Sequence, residues 1–212
     1  MSSASNVKPK LRGVLHEIAF FVSLITGPVL VATSPADYRV GVSVYSISLS
    51  SMFGASALYH RPMWRPDVRK WLRKLDHAMI FVFIAGTFTP IAIALDNDTW
   101  ARNALLIIWI AAAAGVALQF LPFNIPKPIG TLLYLILGWM GPTLMPAIYD
   151  QMGWAPLFFL VMGGILYTVG AVMYAKGAPN IKQDVFGYHE LFHALVIGAA
   201  ICQYIAIFLA VR

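Results

Sequence analysis

Seven separate stretches of this chain are each apolar for about the twenty residues that a helix needs to cross a hydrocarbon core ~30 Å thick. They run approximately over 14–34, 40–60, 75–95, 103–122, 129–148, 154–175 and 187–209. A backbone in hydrocarbon has to satisfy its own N–H and C=O groups, so a spanning segment is either a helix or part of a closed barrel. The stretches lack period-2 alternation and are longer than barrel strands, so they read as helices. Only 11% of the residues are charged and 59% are hydrophobic, whereas a soluble domain carries about a quarter charged residues. The sequence therefore predicts an all-α, polytopic membrane protein. It is read as one seven-helix domain over 1–212, with residues 1–13 as a short basic segment ahead of the first span.

The connections are short. Pro35 to Tyr38 makes the first turn, and Arg61 to Lys74 is the longest and most basic loop. Asp96 to Arg102 is acidic, Pro122 to Pro128 is rich in proline, Tyr149 to Gly153 is a further turn, and Lys176 to Asp184 is polar. Lys8, Lys10 and Arg12 ahead of an apolar stretch resemble the start of a signal peptide. No clear small-residue cleavage site follows, so the first stretch is read as a retained span. The positive-inside rule sets the orientation. With the N-terminus inside, Lys8, Lys10, Arg12, Arg61, Arg65, Arg69, Lys70, Arg73, Lys74, Lys127, Lys176 and Lys182 fall inside. Only Arg39, Arg102 and Arg212 fall outside. The C-terminus is then outside. The net charge of +6 follows from insertion and from attraction to anionic inner-leaflet lipid, with no nucleic-acid partner. The single cysteine, Cys202, admits no internal disulfide. Pro90, Pro142 and Pro146 are expected to kink the third and fifth spans.

On this map all five histidines share one depth, the cytoplasmic ends of the spans. His16 and Glu17 open span one, His60 closes span two, Asp76 and His77 open span three, and His189, Glu190 and His193 open span seven. An ionisable residue inside a bilayer is a functional-site hypothesis by default. His189 and His193 lie one helical turn apart on one face, a metal-ligand spacing. With His60 they can supply three nitrogens of a tetrahedral zinc site that keeps water in the fourth position. Iron, nickel and copper are further candidates for an imidazole site. Asp76 can accept a hydrogen bond from that water or from a ligand imidazole, and the alternative is an ion pair with Arg73 or Lys74. Ser56 shares a face with His60 and can reach the water or the metal; otherwise it is a packing residue. His16 and His77 read as ordinary hydrogen-bonded residues of the interface, and Glu17 as an ordinary first-turn acid. His189 to His193 also matches H-E-x-x-H, the metalloprotease pattern. No acidic residue follows His193, so a third ligand has to come from His60 or Asp76, which is not the protease arrangement.

Three segments, SALYHR at 56–61, LDHAMIFVFIAGTFTPI at 75–91 and FGYHELFHALV at 186–196, resemble the signatures of the haemolysin-III family. That family is the bacterial branch of the progestin and adiponectin receptor superfamily. RGVLHEIAF at 12–20 is similar to its N-terminal segment, so the likeness covers nearly the whole chain. The resemblance implies seven spans in the bacterial inner membrane and a zinc ion held by His60, His189 and His193, with Ser56 and Asp76 beside its water. Related members of the superfamily include alkaline ceramidases, and the adiponectin receptors are credited with ceramide hydrolysis. By that likeness the chain is expected to be a zinc-dependent hydrolase of lipid amides or esters, its ligand a ceramide-like or other acyl lipid. Asp76 would act on the water and Ser56 would hold the water or the oxyanion, with the acyl tail in an apolar cavity between helices. The rival is a membrane sensor or receptor with a structural zinc. A pore ranks last, because Tyr134, Thr143 and Gln203 are too sparse to line a conduit.

Overall fold

The computed structural model describes residues 9–95, 98–123, 125–182 and 185–212. The expectations for Lys8 and the rest of 1–8, for Asp96, and for Asp184 lie outside the described residues. Eight α-helices run through the described residues: α1 (Val14–Thr33), α2 (Arg39–His60), α3 (Pro66–Ala94), α4 (Thr99–Phe120), α5 (Lys127–Gly138), α6 (Met145–Met152), α7 (Trp154–Lys176) and α8 (Tyr188–Ala210). They make seven segments long and apolar enough to cross a membrane, with α5 and α6 sharing the fifth. The chain is a multi-pass membrane protein. Consecutive helices pack in order from α1 to α4, α7 packs along α8, and α1 closes against α8. Lipid tails are as apolar as the side chains, so small residues and interhelical hydrogen bonds hold such a bundle. Ser23 of α1 donates to Ser50 of α2 at 2.9 Å, and Ser46 of α2 donates to the Gly27 carbonyl of α1 at 3.4 Å.

Two elements differ from the sequence reading. The loop expected over 61–74 is helical from Pro66 onward, so Arg69, Lys70, Arg73 and Lys74 ride on α3. Proline at the first helical position and Asp67 in the first turn are start signals, and an apolar-run criterion overlooks a polar helical turn. The fifth span is broken, not merely kinked. Its helix stops at Gly138, a 3₁₀ turn covers Gly141–Leu144, and α6 continues to Met152. Pro142 and Pro146 remove two backbone donors in that stretch. By contrast, α3 is helical through Pro90 without interruption.

Candidate metal centre

The start of α1 is pressed onto the end of α2. Gly13, with φ of +80°, caps α1, and a Cβ there would come within 2.7 Å of the His60 Cβ. Only glycine suits both that backbone angle and that approach. The contact brings the first turn of α1, the last turn of α2 and the first turns of α8 to one end of the bundle, where α3 supplies Asp76.

His60, His189 and His193 are all buried, and each offers one ligand nitrogen within 4.8 Å of the other two. The Nε2 atoms of His189 and His60 face each other at 3.2 Å. Asp76 places Oδ2 3.8 Å from His60 Nε2, so its carboxylate faces the histidines. The alternative pairing of Asp76 with Lys74 is not formed, since Lys74 donates to the Leu121 carbonyl at 2.8 Å. Ser56 is buried beside the cluster, with Oγ 2.8 Å from His16 Nδ1. The donor set fits a cation. It has three imidazoles and no thiolate, and His193 Nδ1 is buried without a hydrogen-bond partner, the condition of a nitrogen available to a ligand.

His16 departs from its reading as an interfacial residue. It is 3% exposed, and its ring stacks on that of His193, with centroids 3.7 Å apart and planes within 9°. It thus joins the ligand face of α8 to Ser56. Spacing did not mark it, since a lone histidine in a first turn has no spacing partner, although it lies in the RGVLHEIAF segment that resembles the family. His77 keeps its ordinary reading, with Nδ1 2.6 Å from the Arg73 carbonyl. Glu17 is likewise ordinary, accepting from Arg61 Nε at 2.6 Å on the exposed rim.

Glu190 turns away from the histidines. Its Oε1 accepts from Arg12 Nε at 2.5 Å and its Oε2 from the Gly187 N–H at 2.8 Å. The carboxylate is fully buried. Glu190 therefore caps α8 and ties it to the segment before α1. It is not placed as a base, so the geometry of an H-E-x-x-H protease is not formed.

All five histidines and Asp76 line one cavity of about 300 Å³. From them it runs along α3, α7 and α8 past Ile80, Phe83, Leu160 and Val161 to Leu157 and Ile148 at the other end of the bundle. Its walls are mainly aliphatic and aromatic. Trp139 and Ile165 belong to the lining and are 61% and 49% exposed. The cavity therefore reaches the lateral surface between the broken α5–α6 segment and α7, the face turned to lipid.

The family model described as "Haemolysin-III related" matches residues 4–204. The chain belongs to the haemolysin-III family. It is 26% identical over 168 residues to the hemolysin-3 homolog of Bacillus subtilis, covering 79% of this chain and 76% of that one. It is 27% identical over 172 residues to hemolysin-3 of Bacillus cereus, covering 81% and 75%. A stretch of 159 residues is 35% identical to the adiponectin receptor protein of Drosophila melanogaster, covering 65% of this chain and 35% of the receptor. The residues that carry the haemolysin-III resemblance, around His60, Asp76 and His189 to His193, are those the fold gathers at one end of the cavity.

Proposed function

We propose that this haemolysin-III protein is a zinc-dependent hydrolase of lipid amides or esters, with the metal held by His60, His189 and His193. The observation that carries the reading is the continuity between the buried imidazole cluster and a long apolar cavity open to the lipid face. An acyl chain entering from the bilayer fills the cavity and leaves its carbonyl at the histidine end. When bound, zinc supplies Lewis acidity that polarises the carbonyl and eases the ionisation of water. Asp76, facing the cluster beside His60, orients the attacking water, takes its proton and returns it to the departing amine nitrogen or ester oxygen as the bond to the carbonyl carbon breaks. The tautomer of His16 sets the part played by Ser56. With the proton on Nδ1, His16 donates to Ser56 Oγ, and the Ser56 hydroxyl donates to the neighbouring Asp76 carboxylate or turns to a developing oxyanion. With Nδ1 bare, Ser56 donates to it and Oγ can only accept from water. The histidine end faces the cytoplasm in this account, with the N-terminus inside and the C-terminus outside, since most Lys and Arg lie toward that end. Arg61, Arg65, Arg69, Lys70, Arg73 and Lys74 then meet the anionic headgroups of the inner leaflet of the bacterial inner membrane.

The test is release of fatty acid from an N-acyl sphingoid amide and from a matched ester by detergent-purified protein reconstituted with zinc. Asp76→Asn should lower turnover by about a hundredfold or more while metal stays bound, the weight of a general base. Turnover that survives chelation, or that Asp76→Asn leaves unchanged, would sink the hydrolase reading. A full zinc complement with no turnover of either lipid would favour the sensor with a structural metal.

A further inference from the structure

Gln203 lies on α8, two and a half turns or more beyond His193, where the wall is otherwise apolar. It is 6% exposed and lines the cavity. Its Nε2 donates to the Leu160 carbonyl of α7 at 3.4 Å, while its Oε1 is buried with no partner. Gly163 of α7 leaves room for the carboxamide, since a Cβ there would come within 2.6 Å of Nε2. Tyr167, one turn further along α7, also lines the cavity, and its hydroxyl is likewise buried without a partner. A brace between α7 and α8 needs only the Nε2 contact. It does not account for an acceptor and a phenol left unpaired in a low-dielectric chamber, where such groups are costly.

We propose that Gln203 and Tyr167 form a polar subsite for a hydroxyl carried part-way along the acyl chain of the ligand. This rests on the reading of the cavity as an acyl site. A hydroxyl is both donor and acceptor, so it can give its proton to Gln203 Oε1 and accept one from Tyr167. A keto or ether oxygen would satisfy only the tyrosine. The rise of a helix puts Gln203 about 15 Å beyond His193 along α8, a span that an extended acyl chain covers in about twelve carbons. The chemical class is therefore a hydroxylated long-chain acyl group, with the hydroxyl near the far end of the cavity rather than beside the carbonyl.

The experiment is equilibrium binding of 12-hydroxystearic acid and stearic acid to the full-length protein in detergent, with the N-acyl amides of both chains in a second arm. The wild type should bind the hydroxylated chain about tenfold more tightly, the weight of one hydrogen bond. Gln203→Leu and Tyr167→Phe should each bring that ratio near one, with each variant's hydroxystearate affinity read against its own stearate affinity. A preference seen in either arm supports the subsite. If it appears only with the amide the ligand is a lipid, and if only with the acid it is a free fatty acid. Equal wild-type affinities, or a preference that survives either substitution, would overturn the subsite while leaving the acyl cavity intact. Failure of every chain to bind would remove the acyl cavity and the subsite together.

Discussion

The two walls of the cavity are built differently. One is made of α2, α3 and α8, the helices that carry His60, Asp76, His189 and His193. Half of the apolar stretch in each of α2 and α3 is buried, against 11% in α7. The other wall is made of α7 and the broken α5–α6 segment, with Trp139 and Ile165 turned outward. All three candidate ligands and Asp76 sit on the first wall. That division is physically reasonable. A ligand set has to be held within a fraction of an ångström by packed neighbours, whereas entry from lipid needs a seam that parts at little cost, and the broken α5–α6 segment meets α7 far less extensively than α8 does. On the proposed function, the metal ligands are mounted on the buried wall, and entry of the acyl chain is left to the part that meets the membrane.

Substitutions on either wall probe this contrast. The largest effect is expected at the ligands. His193→Ala should remove metal binding altogether, read as metal content of the purified protein, because a three-nitrogen site does not survive the loss of one nitrogen. Next comes the brace of the packed wall. Arg12→Met leaves the fully buried Glu190 carboxylate without its partner and should lower stability by about 3 kcal/mol in a reversible unfolding titration. The matching change at the exposed pair, Glu17→Gln, should cost about 0.5 kcal/mol or less, although Arg61 and Glu17 approach as closely. Equal costs at the two pairs would mean that burial does not separate them. Ser56→Ala strands the Nδ1 of a buried His16 and should cost about 1–2 kcal/mol. The smallest stability effect belongs to the admitting wall. Gly164→Leu on α7, where an added Cβ meets nothing within 4 Å, should change stability by less than about 0.5 kcal/mol yet weaken acyl-chain binding. A large destabilisation there would show that the Gly164 face of α7 is packed rather than open.

Much of this was legible in the sequence, for reasons that also explain the rest. Spans are set by runs of about twenty apolar residues, so six of the seven segments lie within a few residues of their expected places. The third begins earlier, because Pro66 to Lys74 are helical in a stretch too rich in charge to read as apolar. His60, His189 and His193 could be gathered from depth alone, since a helix that crosses a bilayer fixes the height of each residue. Depth does not give the angle around a helix bundle. His16 was therefore placed at the right level without its stacking on His193, and Glu190 was placed beside its histidines although it points to Arg12, 178 positions away. The prolines of span five announced an irregularity. The break falls after Gly138, the residue whose carbonyl would need the N–H that Pro142 lacks, and proline alone does not tell a break from a kink, since α3 runs on through Pro90.

The proposed function requires three imidazoles from α2 and α8 to hold one metal ion at the head of the cavity. Metal content by mass spectrometry of the detergent-purified protein, wild type beside His60→Ala and His189→Ala, tests it most directly. The account predicts about one zinc per chain in the wild type and loss of it in both variants, whose folding is checked by circular dichroism. A folded wild type that takes up no metal when zinc is offered back, or a His60→Ala protein that keeps its full complement, would contradict it.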